Sequence, residues 1–411
     1  MAEPATSHNG ADPDELRDRL VARLLRDGCV SVGVCGVEPL TEARRIIEER
    51  HSAGLHGGMQ FVYRNPERST NPRSAFPSAK SAIVVALPYA QDLEEAPQGP
   101  HARVARYASS ELYDELRRML SDAATDLVDA GYRGVVVADD NALVDRAIAL
   151  RAGLGWLGKN TNLLVPNHGS WVVIGSILTD AVLEPVSGSE PGGTCGSCER
   201  CRPACPTGAL VAPGVMDASL CLSWLLQTTG PFPREHRRAL GVRIYGCDDC
   251  QEACPPSRGR EVQRLGSPSA AAGVGAGSGA GTVPSGPGQW MSLRFLLGAS
   301  DSELLDRCGS WYIPQRDPRY LRRNALVVLG NSVADEVADV EDLLHHWLRC
   351  GDELLVSYAA WAARASGREH LLAAREVHDL PAVRAELAQP HPDAQALAIG
   401  PVRRETGRDV S

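Results

Sequence analysis

Cys195-Gly-Ser-Cys198-Glu-Arg-Cys201-Arg-Pro-Ala-Cys205-Pro206 is the stretch that decides how this chain reads. Its spacing, C-x2-C-x2-C-x3-C-P, is the one by which a short segment carries two iron-sulfur cubanes. A second run follows with its first interval stretched. Cys221 stands alone, and Cys247-Asp-Asp-Cys250-Gln-Glu-Ala-Cys254-Pro255 completes it. In such runs three thiolates take one cubane and the fourth reaches the other, because the chain turns away at the proline. Cys195, Cys198, Cys201 and Cys254 are therefore expected on one 4Fe-4S cluster, and Cys205, Cys221, Cys247 and Cys250 on the second. Structural zinc prefers two separated Cys-x2-Cys knuckles, so the third and fourth cysteines of each group, followed by proline, argue against it. Disulfides fit worse: no secretion pattern opens the sequence, and so many close-set thiols imply a reducing compartment. The other four cysteines, Cys29, Cys35, Cys308 and Cys350, sit among apolar residues and read as small buried hydrophobes.

Working outward, 411 residues are enough for two or three domains. A net charge of -9 gives no global basic footprint, so any nucleic-acid contact must use a local patch. The absence of a long apolar run predicts no membrane span and a cytoplasmic location. Residues 1–13 and 390–411 read as disordered tails, 14–190 as an α/β domain, 191–262 as the ferredoxin-like cluster module, and 289–389 as a helical region. Between the last two, 263–288 is nearly all Gly, Ala, Ser and Pro, a linker that cannot build a core.

Within the first domain a helix is expected from Pro13, with Leu16, Leu20, Leu24 and Leu25 on one face. Ser81 to Leu87 is a continuous apolar run of strand length, expected to be buried on both faces. A long helix from Glu111 to Ala130 precedes the strand Gly134 to Ala138. That strand delivers Asp139 and Asp140 at its carboxyl end, where open α/β sheets hold ligands. Gly153, Gly155 and Gly158 beside Lys159 and Asn160 could cradle a large polar ligand, but they follow a helix, which speaks against a dinucleotide fingerprint. Gly54 to Arg64 is a second glycine-rich stretch that permits close backbone approach to a ligand. Beyond the linker, Leu293 to Leu297, Ser302 to Cys308, Arg319 to Gly330, Val340 to Arg349 and Glu353 to Ala365 have helical periodicity and resemble paired-helix repeats. Arg316, Arg319, Arg322 and Arg323 form a basic stripe there, read either as a solvated face or as phosphate contacts.

Taken together, these residues resemble the epoxyqueuosine reductases, cobalamin-dependent iron-sulfur enzymes of queuosine synthesis on tRNA. The likeness runs from about Gly54 to Gly330. It is carried by Gly-Leu-Gly-Trp-Leu-Gly-Lys-Asn-Thr within Arg146 to Thr161, by Gly169-Ser170-Trp171, by Tyr245 to Glu252 with both cysteine runs, and by Leu321-Arg322-Arg323-Asn324-Ala325. The resemblance implies an overall α+β architecture, with a nitroreductase-like domain holding base-off cobalamin through Arg64, Arg106, Asp139, Gly158, Lys159, Asn160, Ser170 and Trp171. It also implies HEAT-like C-terminal helices that grip a tRNA anticodon stem-loop through Arg316, Arg319, Arg322 and Arg323, an external one-electron donor, and a monomer. Aligned with the family's Val-Asp-Thr-Gly-Pro-Val-Leu-Glu-Arg segment, Ala138 to Arg146 gives Asp139 the role of proton donor, with Asp140 as its rival. The family's Arg-Tyr-Ala-x-Gly-x-Asp-Tyr-His segment departs here, with Leu112 and Asp114 in place of the aspartate and histidine. Two other readings stand beside this one: a corrinoid reductase of a different substrate, such as a reductive dehalogenase, and a non-catalytic electron-transfer ferredoxin. The block from Asp139 to Leu178 argues against the last, since cluster carriage does not need it.

Overall fold

The computed structural model describes residues 12–89, 94–186, 193–258, 286–332 and 337–393. Its strands there are β1 (Ser31–Gly36), β2 (Ser81–Pro88), β3 (His101–Val104), β4 (Gly134–Ala138), β5 (Trp156–Leu157), β6 (Leu163–Leu164), β7 (Val172–Thr179), β8 (Arg243–Tyr245) and β9 (Trp290–Ser292). The main sheet has the order β1-β2-β7-β4. As its composition demands, β2 is buried on both faces. Ile83, Val85 and Leu87 pack against helices α1 (Pro13–Arg26) and α3 (Leu112–Asp129), while Ala82, Val84 and Ala86 face the layer that includes Ile148 and Ala149. Between those two helices in sequence lies α2 (Thr41–Ser52).

Every neighbouring pair in this sheet is antiparallel, unlike the open α/β sheets whose ligand-holding end suggested Asp139 and Asp140. β2 and β4 do run the same way and are joined through α3, but the later strand β7 inserts between them in the opposite sense. It fits because Gly175 has no side chain: a Cβ there would lie 2.6 Å from Leu120 Cδ1 on α3. The consequence for function survives this difference. Tyr89 after β2, Asp139 after β4 and Trp171 before β7 all emerge at one end of the sheet.

In α1 the side chain of Asp12 accepts from the backbone of Asp14 and Pro13 takes the first turn. Leu16, Leu20 and Leu24 are fully buried, whereas Leu25 is 46 % exposed. Nine residues separate Leu16 from Leu25, which at 3.6 residues per turn is half a turn off the stripe. Of the stretches expected to lie outside the folded domains, 1–11, 263–285 and 394–411 are outside the described residues. Residues 390–393 pack on the protein: Arg234 donates to the Pro390 carbonyl at 3.0 Å, and Asp393 pairs with Arg238.

Helices α4 (Asp145–Arg151), α5 (Leu293–Gly298), α6 (Asp301–Arg307), α7 (Arg319–Asn331), α8 (Val337–Trp347) and α9 (Glu353–Ala365) follow in order. The last five make up most of a helical C-terminal region. Its core extends well beyond it, taking in Leu222, Leu225, Leu226, Phe232 and Ile244 from the insertion between Cys221 and Cys247, and Ala102 and Val104 from β3. The small sheet β8-β3-β9 stitches the same three parts together, with β8 parallel and β9 antiparallel to β3. The long interval in the second cysteine run is thus the segment that anchors the clusters to the helices.

Candidate active site

Beyond β4 the chain turns sharply at Asp139, whose φ of +53° lies in the left-handed region that non-glycine residues avoid. This puts its carboxylate, 57 % exposed, 3.7 Å from the guanidinium of Arg117. Burial by the surrounding chain raises the Asp139 pKa, Arg117 pulls it back, and Asp140 adds a smaller push upward. Asp140 is differently employed: its Oδ1 accepts from the backbone of Ala142 at 2.8 Å and closes the turn. Of the two aspartates, only Asp139 is left with its carboxylate uncommitted to the backbone.

Six residues on, Asp145 opens α4 with an Oδ1 that is buried and has no hydrogen-bond partner among the described residues. Desolvation, then the charges of Asp139 and Asp140, push its pKa up to about 7 against the pull of Arg146. Asp145 is half-buried and Arg146 exposed, and desolvation by the chain packed around it lowers the Arg146 pKa. Arg146 donates to the Thr161 carbonyl at 2.6 Å, tying α4 to the glycine-rich hairpin β5-β6. Tyr113 and Tyr245, both shifted upward mainly by burial, feel the charge of Asp139. Asp145, Tyr113 and Tyr245 were not picked out by the sequence as site residues. The one usable signal was the pairing of Asp145 with Arg146 just after the Asp139 turn.

A stability test follows from Asp145. Its carboxyl favours the proton in the folded state, so folding is penalised progressively as pH rises from the ordinary carboxylate range near 4 to about 7. Asp145→Asn has no proton to lose. The variant should gain stability over the parent protein across that window, and thermal melts that run parallel from pH 4 to 8 would refute the assignment.

At the same sheet end, the residues assigned to the cofactor by resemblance gather against the cluster module. Arg106 lies 4.6 Å from the ring centroid of Trp171, is within 2.8 Å of Glu252, and is 3.6 Å from the buried Asp248. Its backbone N–H also donates to Asp248 at 2.9 Å. Trp171 donates its indole N–H to the Ser257 carbonyl at 2.8 Å, and Ser170 meets the Ser257 hydroxyl at 3.1 Å. Gly169 permits this contact, since a Cβ there would fall 2.5 Å from Ser257 Cα. Lys159 donates its backbone N–H to Cys195 Sγ at 3.4 Å and its Nζ to the Gly196 carbonyl at 2.9 Å, and Asn160 reaches the Cys250 carbonyl at 3.4 Å. Gly158 holds the preceding turn by donating to the Asn162 carbonyl at 2.9 Å. Arg64 stands apart, lining a separate cavity with Phe61 and Arg68. The second glycine-rich stretch also meets protein: a Cβ on Gly57 would lie 2.6 Å from Ser219 N, next to Cys221.

The thiols can be followed by the charges that act on them. Cys201 senses the charges of Cys195 and Cys198, and Cys254 those of Cys195 and Cys201. In the other set Cys221 senses Cys205, Cys247 senses Cys221, and Cys250 senses Cys247, Cys221 and Cys205. Cys250 also senses Cys201, so the two sets adjoin. Cys29, Cys35 and Cys308 are buried with thiol pKa values pushed up to about 12 by desolvation, as inert core thiols should be, and Cys350 is half-buried.

The basic stripe of α7 divides. Arg316 and Arg319 are at the surface. Arg323 is fully buried, donating to the carbonyls of Gly230 at 2.7 Å and Thr228 at 2.9 Å and to Asn324 Oδ1. Arg322 is also buried, paired with Asp301 and bonded to the Ala299 carbonyl at 2.9 Å. Neither can meet a phosphate, so the expected tRNA contacts at Arg322 and Arg323 are withdrawn: these guanidiniums serve backbone acceptors inside the protein.

Residues 194–257 match the family model of the 4Fe-4S double cluster binding domain. Among curated proteins, the epoxyqueuosine reductase of Listeria monocytogenes is 31 % identical over 368 residues, covering 87 % of this chain and 91 % of the relative. That of Bacillus cereus is 33 % identical over 259 residues, 61 % of this chain and 67 % of the relative. Among solved structures, epoxyqueuosine reductase from Bacillus subtilis, with its catalytic aspartate loop swung out of the active site, aligns with a TM-score of 0.76 at 26 % identity over 92 % of this chain and 97 % of that one. An epoxyqueuosine reductase crystallised with an epoxyqueuosine-modified tRNA-Tyr stem loop aligns with a TM-score of 0.75 at 26 % identity, over 92 % of this chain and all of the other.

Proposed function

The chain belongs to the epoxyqueuosine reductase family, and from that premise we propose that it reduces epoxyqueuosine to queuosine in a tRNA anticodon loop, using cobalamin and two 4Fe-4S clusters. The observation that carries this reading is Asp139: a strained left-handed aspartate, pKa raised by burial, at the end of the sheet where Arg106, Ser170 and Trp171 bond to the cysteine module. Strained backbone outliers of this kind cost about 1–3 kcal/mol and cluster where a side chain must be aimed.

This end of the sheet suits a large cofactor edged with amide groups. Asp145 Oδ1 and, in the adjoining hairpin, Trp156 Nε1 are a buried acceptor and a buried donor left unbonded among the described residues. Arg106, Asp139, Gly158, Lys159, Asn160, Ser170 and Trp171 would hold it, and the bonds of Arg106, Lys159, Asn160, Ser170 and Trp171 to the cysteine module fix those five residues in place. Bound there, cobalamin would supply a nucleophile strong enough to open an epoxide, with the clusters relaying single electrons to it.

The conversion takes two electrons and two protons and releases water, so the protein must deliver protons to oxygen. Asp139 would supply one from its carboxyl, whose pKa burial moves upward, the direction a general acid needs. Tyr113 and Tyr245, phenols whose pKa burial raises, feel the charge of Asp139. The same reading takes the sheet domain as nitroreductase-like and the C-terminal helices as HEAT-like, in a cytoplasmic monomer served by an external one-electron donor. No described helix is long and apolar enough to cross a membrane.

Anaerobically reconstituted protein carrying about eight iron, supplied with cobalamin, a low-potential reductant and epoxyqueuosine-containing tRNA, should yield queuosine in nucleoside digests. Protein that loads both cofactors and leaves epoxyqueuosine untouched would instead be a corrinoid reductase of another substrate.

A further inference from the structure

With Arg322 and Arg323 buried, an RNA substrate must find its phosphate contacts elsewhere on a chain of net charge -9. A cavity of about 410 Å³ lined by Phe61, Arg64, Asn65, Arg68, Ser69 and Asn141 has what is needed. Asn141 is two residues beyond Asp139, so the cavity adjoins the reacting centre. Arg64 and Arg68 are exposed, and neither guanidinium has a hydrogen bond or ion pair among the described residues. Their neighbours in the same domain are differently placed: Arg44, Arg45, Arg117 and Arg133 are all paired with carboxylates. Phe61 meets Tyr312 edge-on at 5.3 Å and Trp224 at 5.8 Å. Tyr312 is 48 % exposed, and its backbone N–H is fixed by the Tyr245 hydroxyl at 2.9 Å. A half-exposed tyrosine packed on Phe61, which lines the cavity together with two guanidiniums unpaired among the described residues, matches a phosphodiester with a flat base attached.

Resting on the functional reading above, we propose that this cavity holds an RNA nucleotide adjoining the one that reacts, its phosphate on Arg64 and Arg68 and its base against Phe61 and Tyr312. Guanidiniums bind phosphate oxygens in a fork that a lone ammonium cannot reproduce, and base stacking on aromatic rings tolerates any sequence. The volume suits one nucleotide. The nucleotide tail of cobalamin has the same chemistry, and the resemblance assigns Arg64 to the corrinoid, so the two sources must be separated by experiment. Exposure favours RNA: both arginines and Tyr312 are open to solvent.

The test measures two bindings on reconstituted full-length protein: a synthetic anticodon stem-loop across a salt series, and cobalamin by its visible spectrum. Arg64→Glu with Arg68→Glu should weaken RNA binding and flatten its log-log salt slope by about 0.7 per lost contact. The double lysine variant should keep most of the slope. Tyr312→Ala should cost about tenfold in RNA affinity, and Tyr312→Phe little, with cobalamin binding unchanged throughout. Weakened cobalamin binding with intact RNA binding would give the cavity to the cofactor tail and overturn the proposal, as would no change in either. If the unmutated protein binds no stem-loop, the tRNA reading itself has failed and the proposal falls with it.

Discussion

Asp139→Asn is expected to lower turnover of epoxyqueuosine in tRNA by about 10²-fold or more, the scale of a lost general acid, while cluster content and cobalamin binding stay unchanged. Asparagine is well suited as the probe, because it tolerates a left-handed backbone at least as well as aspartate. The turn at φ +53° is therefore kept and only the transferable proton is removed. Asp140→Asn should do much less, since an amide oxygen can still accept from Ala142 N. Arg117 supplies an independent check. It stands 3.7 Å from the Asp139 carboxylate and lowers its pKa. Arg117→Met should raise that pKa further and move the alkaline fall of kcat to higher pH, because the acid keeps its proton longer. If Asp140→Asn is the damaging change and Asp139→Asn is mild, the alignment across this segment is one residue out.

What the sequence disclosed and what it hid divide along the range of the interactions. Local signals were sufficient for β2, whose unbroken apolar run can only be buried on both faces, and for the helices, whose stripes identify their inner sides. The cysteine spacing carried the two-cluster assignment because the constraint is covalent and short. Strand direction in the main sheet was not legible: periodicity is the same for parallel and antiparallel neighbours, and the insertion of β7 depends on Gly175 meeting Leu120 across the domain. Nor could the sequence foretell that Gly57 and Gly169 free space for the cluster module instead of for a small ligand. The site followed the same rule. The place of Asp139 at the end of a strand was legible, whereas Asp145 acquires its raised pKa from burial and from the charges of Asp139 and Asp140.

Arg323 is the residue where this limit has the largest energetic consequence. A basic stripe on an amphipathic helix reads as a solvent face, because burying a guanidinium is costly unless its donors are satisfied. Here they are satisfied by a partner invisible to local patterning: the insertion between Cys221 and Cys247, which offers the carbonyls of Thr228 and Gly230 at 2.9 and 2.7 Å, with those of Leu225 and Leu226 at 3.3 and 3.4 Å. Arg323→Met should therefore cost roughly 3–5 kcal/mol of stability, since it leaves several buried acceptors without donors at once. The effect should also reach the iron. Cys221 and Cys247 bound that insertion, so if they are ligands of the second cluster, as proposed, loosening it would free two of its thiolates, and purified protein is expected to lose iron from that cluster before the first. Arg322→Met should be milder, because its partner Asp301 is 69 % exposed and can turn to water. Neither substitution should alter the salt slope of RNA binding in protein that remains folded. A stable, fully iron-loaded Arg323→Met variant with weakened RNA binding would return this arginine to the RNA surface and undo the assignment.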